Sequence, residues 1–87
     1  MTKEKFKEII ESGEKVYLYF FSPFCGSCEL TQPLLKNSKH PLFEINSIEN
    51  KELEKAFDLE YYPTIIEVTN NNFRKFEGRI AIENLLS

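Results

Sequence analysis

Apolar residues along the chain fall into blocks whose spacing alternates between the helical and the extended period. In Lys3 to Glu11, Phe6, Ile9 and Ile10 recur at i, i+3, i+4, which predicts an amphipathic helix ended by Gly13. Lys15 to Phe21 reads as a strand apolar on both faces, as a central strand covered by helices on two sides must be. Glu29 to Lys39 carries Leu30, Leu34 and Leu35 as a helical stripe, and Pro33 is expected to kink that helix because its ring removes a backbone hydrogen bond. Leu42 to Asn46 is a second strand. Two strands separated by a helix predict a right-handed βαβ unit with parallel strands.

The second half is patterned differently. Asn50 is expected to cap a short helix with Leu53, Ala56 and Phe57 on one face. Tyr61-Tyr62-Pro63 leads into the strand Thr64 to Thr69. Asn70-Asn71-Asn72 reads as a tight turn, since asparagine tolerates left-handed backbone. Phe73 to Glu77 returns as the other arm of a hairpin, Gly78 breaks it, and Ile82, Leu85 and Leu86 mark a closing helix. The Lys/Glu-rich stretches near residues 3–8 and 49–55 read as solvated helix faces. Phe20, Phe21, Phe57, Phe73 and Phe76 are assigned to the core.

The chemistry concentrates in Phe21-Ser22-Pro23-Phe24-Cys25-Gly26-Ser27-Cys28. Its two cysteines are the only ones in the chain, and they lie between a strand and a helix. That setting suits reversible disulfide chemistry. Cys25 falls at the helix N-terminus, where free N–H groups and the helix dipole favour a thiolate. Cys28 lies one turn further in, in reach of a mixed disulfide on Cys25. Two other readings fit the same residues. Buried cysteines can be inert core. A structural zinc site needs four ligands, and His40 is the one histidine, so zinc would have to be shared between two chains.

Composition narrows the class. An 87-residue chain with 41% hydrophobic and 14% aromatic residues is enough for one small globular domain, and no repeat or linker divides residues 1–87. The net charge of −3 gives no reason to expect nucleic acid or an anionic membrane as partner. No apolar stretch reaches transmembrane length, and Met1 to Glu8 lacks the apolar core of a signal peptide. A cytoplasmic location is the default expectation. In a reducing compartment a lone Cys-x-x-Cys is expected to be catalytic and not a static staple.

With these motifs in place the chain resembles a small thioredoxin over nearly all of its length. Cys25-Gly26-Ser27-Cys28 follows the central strand, Pro33 falls where that family kinks its active-site helix, Tyr62-Pro63-Thr64 matches its cis-proline loop, and Gly78 matches a glycine lining its substrate groove. The resemblance implies an α/β, thioredoxin-like fold: a four-stranded mixed sheet flanked by helices, trimmed of the family's first strand. The implied strand order is 42–46, 15–21, 64–69, 72–77, with the last two strands antiparallel to the first two. It further implies that Cys25 is the nucleophile and Cys28 the resolving cysteine. The Tyr62–Pro63 bond is expected to be cis, turning the Tyr62 backbone towards an extended substrate peptide. Pro23, Phe24, Gly26, Ser27, Tyr61, Tyr62, Pro63, Thr64 and Gly78 are expected to form the surface around the sulfurs, with Phe24 and Tyr62 as its exposed aromatics.

The chain departs from the family at four positions. Phe24 stands where tryptophan normally precedes the first cysteine, Ser27 replaces proline between the cysteines, Glu29 replaces the lysine common after the second, and Tyr19 replaces the aspartate buried beneath it. A glutaredoxin is the nearest competitor, but Gly78 is followed by Arg79 and not by the Gly-Asp of a glutathione site. The expected activity is thiol–disulfide exchange on protein disulfides, by a monomer with no cofactor beyond the Cys25–Cys28 couple. With no nucleotide or flavin fingerprint present, a reductase or other thiol protein must recycle it. An oxidant or isomerase, a glutaredoxin-like protein, and a binding module that only holds a partner stay open as alternatives.

Overall fold

In the computed structural model, which describes residues 1–87, α1 (Lys3–Glu11) is followed by β1 (Val16–Phe21), α2 (Gly26–Thr31) and a 3-10 helix (Gln32–Asn37). Then come β2 (Leu42–Asn46), α3 (Lys51–Ala56), β3 (Thr64–Thr69), β4 (Asn72–Glu77) and α4 (Arg79–Leu86). The sheet order is β2-β1-β3-β4, as expected. β1 and β2 are parallel, β1 and β3 antiparallel, β3 and β4 antiparallel.

That pairing corrects one expectation. β4 does not run antiparallel to the first two strands; a hairpin reverses the chain once more, so β4 runs parallel to β1. The turn itself is built as expected, with Asn70 at φ 55°.

Helices cover both faces of β1, and its side chains alternate accordingly. Val16, Leu18 and Phe20 pack with Ile9, Ile45, Ile66 and Val68 beneath α1 and α3. Tyr17 and Tyr19 pack with Ile65, Ile82 and Leu86 on the side of α2 and α4. Leu18, Tyr19 and Phe20 are all 0% exposed. Burying one such side chain contributes roughly 1.5–3 kcal/mol, so β1 anchors both halves of the core at once.

Local chemistry explains the ends of the elements. Thr2 caps α1 by accepting the Lys5 N–H at 3.1 Å, and Gly13, at φ 75°, takes the left-handed position beyond Ser12. The helix expected over Glu29 to Lys39 is instead two pieces. The α-helix starts earlier, at Gly26, stops at Thr31, and gives way to a 3-10 helix with Pro33 in its first turn. Pro33 ends the α-helical ladder here and does not merely bend it, because it has no N–H to donate. Asn50 takes the N-cap position of α3 without a side-chain capping bond; its amide donates to the Asn46 carbonyl at 2.9 Å.

The phenylalanines divide less cleanly than expected. Phe57 is the hub of a cluster, with edge-on contacts to Phe6, Phe20 and Phe73 at 5.8, 5.9 and 5.3 Å. Phe20 is fully buried and Phe21, Phe57 and Phe76 half-buried, but Phe73 on the edge strand is exposed. The edge strand has no neighbour on its outer side to cover it.

Candidate active site

The site begins where β1 leaves the sheet. Ser22 closes a turn by accepting the Cys25 N–H on its carbonyl at 3.2 Å, and Cys25 sits extended (φ −104°, ψ 110°) as the N-cap of α2. A thiol here does what serine or aspartate does at other helix starts. The Cys28 backbone N–H donates to Cys25 Sγ at 3.2 Å. Cys25 is half-buried and Cys28 is 5% exposed. The structure thus brings the two expected catalytic sulfurs to one helix start, with Cys25 the outer and Cys28 the inner. Phe21, Pro23, Glu29 and Gln32 line a concavity of about 200 Å³ with them. The largest concavity, about 630 Å³, lies elsewhere, between the start of α1 and residues 48–56.

The surrounding residues fall partly where expected. Phe24 is 88% exposed, and Gly26, Ser27 and Tyr61 are exposed as well. The Tyr62–Pro63 bond is cis. Pro63 and Thr64 are buried, the Thr64 hydroxyl donates to the Tyr61 carbonyl at 2.6 Å, and the Gly78 N–H donates to the Pro63 carbonyl at 2.9 Å. Gly78, at φ 89°, occupies backbone that a side chain would strain, and so ties the end of β4 to the proline loop.

Tyr62 corrects the expectation of an exposed aromatic. It is half-buried, and its hydroxyl is buried without a hydrogen-bond partner. Its ring packs against the α1/α3 core, and burial pushes its phenol up to about 12, with Glu54 adding to the rise. Tyr61, one residue earlier, is the exposed ring of the pair.

Below the cysteines, Tyr19 does more than fill space. Its hydroxyl lies 2.6 Å from Thr31 Oγ1 and donates to the Cys28 carbonyl at 3.2 Å. Thr31 Oγ1 is also within reach of the Ser27 and Cys28 carbonyls, at 3.3 and 3.1 Å. Thr31 was not singled out from the sequence. The signal was present, because a threonine three residues past Cys28 can back-bond to the preceding turn, and a buried tyrosine needs a partner for its hydroxyl. Gln32 was also missed; its amide donates to Glu44 at 2.7 Å and links the 3-10 helix to β2.

Burial dominates the electrostatics. It pushes the Tyr19 phenol up to about 12. It also pushes the Cys28 thiol up to about 11, with the Cys25 contact adding to the rise, while a Ser22 backbone hydrogen bond and the Tyr19 hydroxyl act the other way. Both groups are acids whose folded value lies above the unfolded one. Their neutral forms stabilise the fold fully below the unfolded values, and that contribution is lost as pH rises through the folded ones. The reduced protein is therefore expected to lose stability between about pH 9 and pH 12, by about 2–3 kcal/mol for Tyr19 alone. Urea unfolding followed across that range checks it; a midpoint flat up to pH 12 would contradict it.

The comparisons agree with this geometry. A family model, Thioredoxin, matches residues 1–87. Protein disulfide-isomerase A4 of Rattus norvegicus is 31% identical over 74 residues, spanning 75% of this chain and 12% of that protein. Protein disulfide-isomerase 1 of Caenorhabditis elegans is 30% identical over 95 residues, spanning 99% of this chain and 20% of that protein. The chain thus spans at most a fifth of the length of these two relatives. Among solved structures, the thioredoxin of Plasmodium falciparum superposes with a TM-score of 0.81 at 22% identity, covering 97% of this chain and 90% of that one. The thioredoxin of Trypanosoma brucei brucei gives 0.83 at 15% identity, covering 97% and 82%. With the fold, the paired cysteines and the full-length family match in agreement, the chain belongs to the thioredoxin family.

Proposed function

We propose that this chain is a thiol–disulfide oxidoreductase that reduces disulfides in protein substrates. The observation that carries the reading is the Cys28 N–H donated to Cys25 Sγ across the start of α2, with Cys25 partly exposed and Cys28 buried beneath it. The cap donates a hydrogen bond to the sulfur that must carry negative charge. In the first step the Cys25 thiolate attacks a substrate disulfide, forming a mixed disulfide and releasing one substrate thiolate. Cys28 then gives up its proton and attacks Cys25 Sγ. The second substrate sulfur leaves as a thiolate, and the Cys25–Cys28 disulfide remains. Two electrons pass from the dithiol to the substrate, and another thiol protein must return them. The Tyr62 backbone, which takes part in none of the chain's loop hydrogen bonds, is the edge on which an extended substrate would pair. Exposed Phe24 and Tyr61 offer it apolar contact. A reductant of this kind suits a reducing compartment such as the cytoplasm.

A second reading, a disulfide isomerase, is favoured by the names of the two relatives described above. Insulin reduction by the dithiol form tests the activity. Equilibration of the Cys25–Cys28 couple against glutathione separates the readings. A potential near about −270 mV supports the reductant, and one near about −180 mV the isomerase. No turnover of insulin and no measurable Cys25–Cys28 couple would end both.

A further inference from the structure

Beside the sulfurs, away from the proline loop, the structure keeps a concavity that the exchange steps above do not use. It measures about 200 Å³ and joins Cys25 and Cys28 to Phe21, Pro23, Glu29 and Gln32; none of Tyr61, Tyr62, Pro63 or Gly78 lines it. The sheet order explains the separation. β1 ends at the cysteines with β3, which follows the proline loop, on one side and β2 on the other. The concavity belongs to the β2 side, where Gln32 reaches across to Glu44 at 2.7 Å.

Sites for small molecules run to roughly 300–1,000 Å³, so this one has room for a single side chain. The Phe21 and Pro23 rings give it an apolar floor. Its one charged group is Glu29, which is exposed and takes part in none of the chain's ion pairs. Gln32 gives its amide nitrogen to Glu44 and keeps its oxygen as an acceptor. Of the cations on neighbouring elements, Lys36 on the 3-10 helix is exposed and Arg79 on α4 is held by Glu83. An apolar floor with a lone carboxylate at its rim matches a side chain with a methylene stem and a cationic head.

We propose that this concavity is a specificity pocket, in which Glu29 selects protein disulfides carrying a lysine or arginine two residues from the reacting cysteine. The inference rests on the oxidoreductase reading and names the class of substrate it prefers. An extended segment paired on the Tyr62 backbone turns the side chains two residues from its cysteine to the same face as that cysteine, roughly 7 Å along the chain. A basic side chain there lays its methylenes over Phe21 and Pro23 and brings its charge to Glu29. An acidic one meets Glu29 with like charge. The exchange itself is unchanged: Cys25 thiolate bonds to one substrate sulfur and the other leaves as a thiolate. A carboxylate in the first turn of α2 also suits the helix start, but that role is blind to the substrate.

The test is single-turnover reduction, by the reduced protein in excess, of disulfide-linked dimers of an end-blocked peptide X-Ala-Cys-Ala-X, with X lysine, glutamine or glutamate. Released peptide is measured by chromatography after acid quenching. The readout is the ratio of the lysine-peptide rate to the glutamate-peptide rate, compared between variants. Differences in intrinsic reactivity between the peptides cancel in that comparison, as does any effect of Glu29 on the Cys25 sulfur. An exposed ion pair changes an equilibrium by up to about fivefold. Glu29→Gln is therefore expected to slow the lysine peptide about threefold and speed the glutamate peptide about twofold, both relative to the glutamine peptide, so the ratio falls about sixfold. Glu29→Lys is expected to reverse the preference. In the wild type the preference is expected to fade as salt rises from about 0.02 M to about 0.5 M.

Glu11→Gln, on the exposed face of α1, removes the same charge away from the cysteines and is expected to leave the ratio unchanged. An unchanged ratio in Glu29→Gln, or an equal fall in Glu11→Gln, overturns the proposal. Failure of the wild type to reduce even the neutral glutamine peptide overturns the oxidoreductase reading instead.

Discussion

Cys25→Ser is expected to abolish disulfide reduction, by three or more orders of magnitude in rate, because a neutral hydroxyl cannot replace a thiolate as the attacking group. Cys28→Ser is expected to behave differently. The outer sulfur keeps its exposure and its place at the start of α2, so it still attacks once. With no inner sulfur to displace the substrate, the mixed disulfide accumulates. Mass spectrometry of each variant after incubation with an oxidised protein substrate checks this. Cys28→Ser is expected to gain the mass of one substrate chain, releasable by dithiothreitol, and Cys25→Ser to gain none. The reverse pattern would mean that the buried sulfur is the nucleophile, against its 5% exposure. The cap bond to Cys25 Sγ is donated by the backbone N–H of residue 28 and so survives Cys28→Ser, which leaves the outer sulfur capped in that variant.

Tyr19→Asp is expected to cost about 4 kcal/mol or more of folding stability at pH 7, a large share of what a domain of this size possesses. Three losses combine. The aspartate carboxyl stops far short of Thr31 Oγ1 and the Cys28 carbonyl, so two buried hydrogen bonds go. A ring-sized void opens between β1 and α2. The new carboxylate is enclosed where Tyr19 was 0% exposed. Enclosure raises a carboxyl above its unfolded value. Its neutral form is tolerated at low pH, and the fold is penalised as pH rises through the unfolded value. The gap between mutant and wild type is therefore expected to be smallest near pH 4 and to widen towards neutrality. Urea unfolding at both pH values measures it; a mutant as stable as wild type at pH 7 would show that the site admits water freely.

The parts of the fold legible in the sequence were those set by local pattern. β1 could be read because an unbroken run from Val16 to Phe21 has no solvent-facing position. α1 could be read because Phe6, Ile9 and Ile10 leave a polar face for water. What escaped depends on the third dimension. The direction of β4 relative to β1 follows from counting reversals and not from any residue. The break at Thr31 escaped because Leu30, Leu34 and Leu35 fit a helical stripe whether or not the backbone narrows to three residues per turn after Gln32. In the site, the cysteines and the proline loop were visible as motifs. Tyr62 was misjudged because two adjacent tyrosines must point differently, and nothing local says which one turns inward. That Thr31 pairs with the Tyr19 hydroxyl became visible only when β1 and α2 were brought together.

The outer strand β4 has a consequence for life in a crowded solution. It is one of the two rims of the sheet, and Arg74, Lys75 and Glu77 stand exposed along it. Arg74 also faces Glu67, 3.8 Å away on β3, and its guanidinium lies over the Phe76 ring at 5.3 Å. A stray extended segment that tried to lengthen the sheet at this rim would have to strip water from those charges. The rim is therefore a poor template for self-propagating β-structure, even though it leaves Phe73 open to solvent. Replacing Lys75 or Arg74 with valine would keep the strand and lose that protection, exchanging solubility for stickiness at a place remote from both cysteines.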